Sequence, residues 1–403
     1  MHGMSDTAVA LGQLDAVDAA SRRALERALA GEPIDDAAAL ALLAERDAPL
    51  APLLAVAGHL RTRHKGTVVT YSPKVFLPIT NLCLDRCSYC TFRKDPDAPD
   101  AWTMLPEEVR DCSRRGRALG CIEALMCLGD KPERAYKSYR RTLAVLGHDS
   151  TIDYVARCCR LALDEGMLPH TNAGLLSRDE MALLRPLNVS LGLMLESISP
   201  RLRGRGGAHQ QAPDKDPALR LAMIRTAGEL RIPFTTGILL GIGETLAERV
   251  ASLRAIAELH AEHGHIQEII IQNFRAKPST RMAGAPEPES AEMARTLAVA
   301  RLMMPEMNIQ APPNLSPLDH RLFLAAGIND WGGISPLTLD YVNPEAPWPQ
   351  LTALAATCRE AGLTLAARLP IYDEYVDRPG WLDEGLRRHV DSRRGQEGAP
   401  HVG

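Results

Sequence analysis

Two kinds of apolar pattern alternate along this chain. Short, nearly continuous runs of Val, Ile and Leu read as strands near Val75–Thr80, Glu123–Leu128, Leu168–Asn172, Val189–Leu195, Phe234–Leu240, Glu268–Gln272, Asn308–Ala311 and Gly327–Asp330. Between them lie stretches with helical periodicity: Pro106–Leu119, Ile152–Glu165, Pro217–Leu230, Leu246–His263, Ala291–Met303 and Pro317–Ala325. Strands that are apolar throughout and alternate with amphipathic helices predict a parallel sheet covered on its outside. Eight such units predict an α/β fold of the TIM-barrel type, a (βα)8 barrel over residues 67–345. The eighth run is short, so a six-stranded partial barrel is the alternative. Residues 1–66 read as Ala- and Leu-rich helices broken near Gly31-Glu-Pro33 and Asp47-Ala-Pro49, an N-terminal helical cap expected to close the barrel interior to solvent. Residues 346–403 read as a helical extension that follows the rigid Asn343–Pro349 linker, with a frayed polar tail from Ser392.

Composition narrows the class. The 403 residues are 45% hydrophobic and 24% charged, the balance of a chain that can bury a full core. A formal net charge of −4 gives no electrostatic case for nucleic acid or an anionic membrane as partner. No apolar run is long enough to span a bilayer, and the N-terminus has no apolar signal segment, so a cytoplasmic, reducing location is expected. The nine cysteines are an odd number and do not suggest a disulfide framework. Cys112, Cys121, Cys127 and Cys358 sit in apolar or helical surroundings and read as small core residues. Cys158 and Cys159 are neighbours on one helix, where their side chains diverge.

The remaining three cysteines carry the chemistry. Thr80-Asn-Leu-Cys83-Leu-Asp-Arg-Cys87-Ser-Tyr-Cys90-Thr-Phe92 spaces them C-x3-C-x2-C on a loop that leaves the first strand. A zinc site needs four closed ligands, and no nearby His offers a fourth. Three thiolates in one loop instead suit a [4Fe-4S] cluster with one iron left open for another ligand. This is the signature of the radical S-adenosylmethionine (SAM) enzymes.

Strand ends are where a barrel places its chemistry. After the second strand, Gly129-Asp130-Lys131-Pro132-Glu133 makes a turn whose backbone carbonyls could accept from the SAM ammonium. Glu196 emerges from an apolar strand, a costly position without a partner; a ribose diol would satisfy it, as would Arg201 or Arg203. Arg220 could fork onto the methionyl carboxylate, with Arg225 as the alternative. Gly241 and Gly243 would let the backbone approach a flat ring, although the string lacks the Lys-Ser/Thr of a phosphate loop and the spacing of a dinucleotide fingerprint. The later strand ends are polar. Asn273, Arg275, Asn314, Asn329 and Asp330 are the candidate contacts to a polar, ring-containing substrate.

These strings resemble one radical SAM family, the deazaflavin (Fo) synthases of the subunit-one kind. The resemblance runs through Pro73–Phe92, Gly129-Asp-Lys-Pro-Glu133, Pro169-His-Thr-Asn172, Gly192–Glu196, Ile232–Thr245, Ile266–Phe274, Ala311-Pro-Pro-Asn-Leu315 and Gly327–Gly333 to Asn343-Pro-Glu345. Leu84 and Ala173 depart from the expected basic residue and Pro. The resemblance implies a [4Fe-4S] cluster on Cys83, Cys87 and Cys90 with SAM at the open iron. By likeness to related barrels, Glu196 would face the ribose, Arg220 the methionyl carboxylate, and Tyr89 with the Gly241–Gly243 backbone the adenine. It further implies a lyase-type ring closure with loss of ammonia, giving the deazaflavin Fo from the tyrosine-derived adduct of 5-amino-6-(ribitylamino)uracil. The implied partners are a sister radical SAM subunit that supplies the adduct and a reducing electron carrier. Competing readings are the sister subunit itself, a menaquinone-pathway radical SAM enzyme and a non-catalytic iron–sulfur protein. A carrier would usually complete four ligands and would not need a polar cavity.

Overall fold

A computed structural model of the chain describes residues 14, 17–45 and 47–394. The start of the expected cap and the Gly395–Pro400 part of the expected tail lie outside the described residues. Eight strands run in parallel and in chain order: β1 (Val68–Leu77), β2 (Glu123–Cys127), β3 (Leu168–Asn172), β4 (Ser190–Gly192), β5 (Phe234–Leu240), β6 (Ile266–Asn273), β7 (Ile309–Gln310) and β8 (Asp330–Ile334). β8 pairs with β1 and β1 with β2, so the sheet closes and the six-stranded alternative is excluded. Helices follow the strands around the outside. The longest, Leu246–His263, begins where Thr245 and Glu248 form a reciprocal capping box and ends at left-handed Gly264.

Strand parity decides what the barrel interior contains. Along β1, Val69, Tyr71, Val75 and Leu77 are buried, and Val75 packs so closely on helix Pro106–Ala118 that a Cβ on Gly116 would lie 2.2 Å from it. Thr70, Ser72, Lys74 and Phe76 alternate with these and point inward. The lower interior is polar rather than aliphatic. Ser72 hydrogen-bonds Glu123 of β2, and Thr70 hydrogen-bonds Asp330 of β8.

The floor is closed from an unexpected direction. The C-terminal segment is not helical throughout: after helix Leu351–Glu360, a ninth strand, β9 (Thr364–Ala367), pairs with the lower half of β1. It delivers Arg368 into the barrel, where the guanidinium meets Glu268 at 2.7 Å and Asp330 at 2.6 Å. Tyr372 donates to both carboxylates, at 3.2 and 3.1 Å. The Pro370 carbonyl accepts from Ser190 and Gln267. Asp330 also accepts from Thr70, Tyr372 and the Gly332 amide, so its loss leaves buried donors unpaired although Arg368 keeps Glu268. Asp330→Ala is therefore expected to lower the unfolding free energy by about 1–3 kcal/mol, read by denaturant titration.

The N-terminal helices Ala19–Leu29, Asp36–Ala44 and Leu50–Lys65 take a different place from the one expected. On the flank, Asp36–Ala44 packs against the barrel helices Leu246–His263 and Ser290–Met303 and Leu50–Lys65 against Ser290–Met303, while Ala19–Leu29 packs on those two N-terminal helices. Arg295 donates to the Leu42 and Ala48 carbonyls, Arg254 pairs with Asp36 at 2.7 Å, and the Ile34 amide donates to Leu302. None of their residues lines the cavity at the mouth. Among the described residues, no helix is long and apolar enough to cross a membrane.

Candidate active site

The cysteine loop leaves β1 at the mouth and is held by its neighbours through backbone hydrogen bonds. Leu84 N donates to Asp130 O, Arg86 N to Gln211 O, and Ser88 N to Ala208 O, each at 2.8 Å. Cys83, Cys87 and Cys90 thereby line one cavity of about 320 Å³, together with Tyr89, Glu196 and Arg220. Among the described residues no three His, Cys, Asp or Glu side chains are placed to share a single metal ion. A cluster asks something different, one thiolate on each of three irons. The surroundings of Cys83 suit that demand. Its sulfur accepts from the Asp130 amide at 3.1 Å, and a Cβ on Gly129 would lie 2.5 Å from the sulfur, so only glycine leaves room there. Burial pushes the Cys87 thiol up to about 12 and raises Cys83 as well, and the positive charge of bound iron would favour their thiolates.

Glu196 is buried, and its backbone takes the left-handed conformation (φ 65°), a strained choice for a residue with a side chain. The strain turns its carboxylate to Lys215, which pairs with it at 2.5 Å. Burial works to raise this carboxyl, but Lys215 and then Arg220 outweigh it and hold it below its ordinary value. The expected alternatives for Glu196 are engaged elsewhere: Arg201 with Glu248 and Arg203 with Asp216. Lys215 closes the short 3-10 turn Pro213–Lys215 just before helix Pro217–Glu229, in a stretch that carries no periodic pattern, which is why the sequence did not single it out.

Arg220 is buried and donates Nε to the Met194 carbonyl at 2.8 Å and an NH to the Asp214 carbonyl at 3.0 Å. It has no carboxylate partner among the described residues, while Arg225 is half exposed and paired with Glu262. A buried guanidinium without an anion at a cavity wall suits a ligand carboxylate. Asp130 is the complement. Its Oδ2 accepts from the Leu175 amide at 2.7 Å, and its Oδ1 has no donor. Burial raises its carboxyl, and neighbouring Asp214 and Asp85 add to that. Its own carbonyl accepts one bond from Leu84 and keeps a second lone pair, so side chain and backbone both remain acceptors at this turn.

Tyr89 lines the cavity, its hydroxyl 3.0 Å from His209 Nε2 and its ring packed with Leu202, Leu239, Ile242 and Phe274. Burial lowers the His209 pKa to about 3, so the ring beside the tyrosine hydroxyl is neutral. Gly241 and Gly243 both have positive φ, but neither lines the cavity. The Gly241 and Ile242 amides donate to Glu244, which is locked to Arg249 at 2.7 Å. At this strand end the cavity wall is Leu239.

The substrate expectations fare unevenly. Asn314 lines the cavity; its amide donates to Asp340 at 2.9 Å, and its buried Oδ1 has no donor. Asn273 does not line it, because parity turns Gln272 of β6 inward instead. Arg275 lies beyond the strand, exposed and paired with Glu287. Asn329 is buried outside the cavity, accepting from Arg301 and the Ile309 amide. Asp330 opens β8 instead of ending it, which puts its carboxylate at the floor with Arg368. Sequence reasoning missed Lys74, Gln310, Trp348 and Cys127, all of which face the cavity. Cys127 was read as a core residue, and Trp348 as part of a linker. In fact the segment after β8 forms a wall, with Trp348 stacked on Phe76 at 5.3 Å and its indole N–H on the Thr338 carbonyl.

Known proteins share this design. The profile of the Radical SAM superfamily matches residues 77–256. A 7,8-didemethyl-8-hydroxy-5-deazariboflavin synthase from Methanopyrus kandleri is 46% identical over 332 residues, covering 82% of this chain and 99% of that protein. The chain belongs to the 7,8-didemethyl-8-hydroxy-5-deazariboflavin synthase family. An FO synthase from Streptomyces coelicolor is 47% identical across 92% of this chain, and one from Mycobacterium tuberculosis 48%, but the chain spans only 44% and 46% of those proteins. Among solved structures, methylornithine synthase superposes with a TM-score of 0.67 at 18% identity, covering 85% of this chain and 97% of that one. A maturase of the [FeFe]-hydrogenase gives 0.71 at 18%, covering 88% and 78%. At such identities these two establish the barrel alone. Like other radical SAM proteins, the deazaflavin synthase family uses a [4Fe-4S] cluster and SAM, and the cavity offers three thiols, an anion-free guanidinium and a donor-free carboxylate oxygen for them.

Proposed function

We propose that this chain carries out the radical ring closure that yields Fo, 7,8-didemethyl-8-hydroxy-5-deazariboflavin, with loss of ammonia from a tyrosine-derived adduct of 5-amino-6-(ribitylamino)uracil. The observation that carries this reading is the match along 99% of a protein with that activity in its name. Cys83, Cys87 and Cys90 would hold the cluster, Arg220 the methionyl carboxylate, Asp130 the ammonium and Glu196 the ribose. Tyr89 and Leu239 would supply the apolar bed for adenine. When bound, the cluster and SAM supply a carbon-centred radical able to abstract hydrogen from the substrate. The protein's part is to hold the reacting groups in place and keep water out.

In the same cavity as the cysteines, Gln272, Gln310, Asn314, Asp340 and Asn343 offer amide and carboxylate groups suited to ribityl hydroxyls and uracil edges. Asn314→Ala is expected to lower Fo formation several-fold while 5′-deoxyadenosine release persists; coupled, wild-type Fo yield would remove Asn314 from this role. The chain spans less than half of the FO synthases it resembles. We propose that a sister radical SAM subunit supplies the adduct and that a reducing electron carrier serves the cluster. The test is an anaerobic reaction of reduced protein, SAM, sister subunit, tyrosine and the diaminouracil. Fo detected by mass spectrometry is the expected product; 5′-deoxyadenosine without Fo would reject this assignment and keep only the radical SAM chemistry.

A further inference from the structure

Lys74 sits on the inner face of β1, below the cysteine loop and above the polar floor, with a side chain only 13% exposed. Its ammonium is 3.1 Å from Glu123 and 5.5 Å from the centre of the Phe76 ring. An ammonium carries three donors, and Glu123 is the one hydrogen-bond acceptor the structure gives it. Two N–H groups are therefore left in a cavity. The neighbouring strand β8 makes room for the lysine stem: a Cβ on Gly333 would lie 1.4 Å from Lys74 Cε. Glu123 is buried, held also by Ser72, and fixes the lysine from behind. Beside the ammonium, Phe76 stacked on Trp348 gives the cavity a flat aromatic wall.

We propose that Lys74 is a substrate-binding residue that donates to an electron-rich ring oxygen of the ligand, with the ring lying along Phe76 and Trp348. This deepens the reading above and rests on it. In Fo, oxygens of this kind are the pyrimidinedione carbonyls and the 8-hydroxyl. Either presents to Lys74 a charge-assisted acceptor in a desolvated site.

The experiment measures binding of Fo to the anaerobic holoprotein by fluorescence titration. Lys74→Met alone would strand the Glu123 carboxylate, so the informative variant is Lys74→Met/Glu123→Gln, which replaces the ion pair by neutral groups. It should bind Fo about ten- to a hundredfold more weakly than wild type. Glu123→Gln alone keeps the ammonium but loosens its anchor, and should lose clearly less affinity than the double variant. Equal loss in both variants, or no loss in the double variant, would overturn the assignment. Repeating the titration with the analogue lacking the 8-hydroxyl identifies the oxygen. A loss confined to Fo means the hydroxyl, and a loss with both means the pyrimidinedione. In the wild-type protein, saturating Fo should slow acetylation of Lys74, read by peptide mass spectrometry; unchanged labelling would also overturn it. Wild-type protein that neither binds nor makes Fo would instead refute the proposed function.

Discussion

Replacing any one of Cys83, Cys87 or Cys90 by Ala is expected to abolish both the iron–sulfur absorbance of the reconstituted protein and its release of 5′-deoxyadenosine from SAM. The effect is large because the site has no spare ligand. A three-cysteine loop already leaves one iron open, and losing another thiolate leaves two. The loop is also held in advance of any metal: Leu84, Arg86 and Ser88 are anchored by backbone bonds to segments near 130 and 210, so a substituted loop cannot simply reach for another donor. Cys158, buried on the outer helix Thr151–Asp164, and Cys112, on helix Pro106–Ala118, are the controls. Their Ala variants should retain the absorbance. Loss of the cluster in either control, or its survival in Cys87→Ala, would show that the ligand set is wrong.

The barrel was legible because buried parallel strands and amphipathic helices leave different apolar periods. Leu168–Asn172, Phe234–Leu240 and Leu246–His263 fall where the pattern puts them. The cysteine loop was legible because ligand chemistry demands short, fixed spacing. The substrate wall was not, for two physical reasons. Parity is invisible in a strand apolar on both faces, so Asn273 was chosen where Gln272 points inward. Strand ends were also misplaced: reading the last strand as Gly327–Asp330 put Asp330 at the mouth, whereas β8 starts there and sends it to the floor. Long-range partners left no local trace at all. Arg368, just past β9, and Lys215, at the end of the short 3-10 turn Pro213–Lys215, are joined to Asp330 and Glu196 only by the fold.

Arg220→Ala is expected to weaken SAM binding ten- to a hundredfold while the cluster absorbance stays intact, since a hydrogen bond to a charged group contributes about 1.5–3 kcal/mol. The cluster should survive because Arg220 touches the cysteine loop only indirectly, through the segment around Asp214. Two carbonyls already orient the guanidinium, so its ordering is met by the fold and its remaining donor edge is free for a carboxylate. Arg220→Lys keeps the charge but cannot reproduce the fork, and should recover only part of the affinity. Glu196→Gln provides the contrast. It removes the partner of buried Lys215 as well as a ribose acceptor, so it should cost stability along with SAM affinity. Equilibrium dialysis of SAM against the reconstituted proteins separates these outcomes. Unchanged affinity in Arg220→Ala would mean that the methionyl carboxylate is held elsewhere, and Lys215 would then be the nearest buried cation on the same wall.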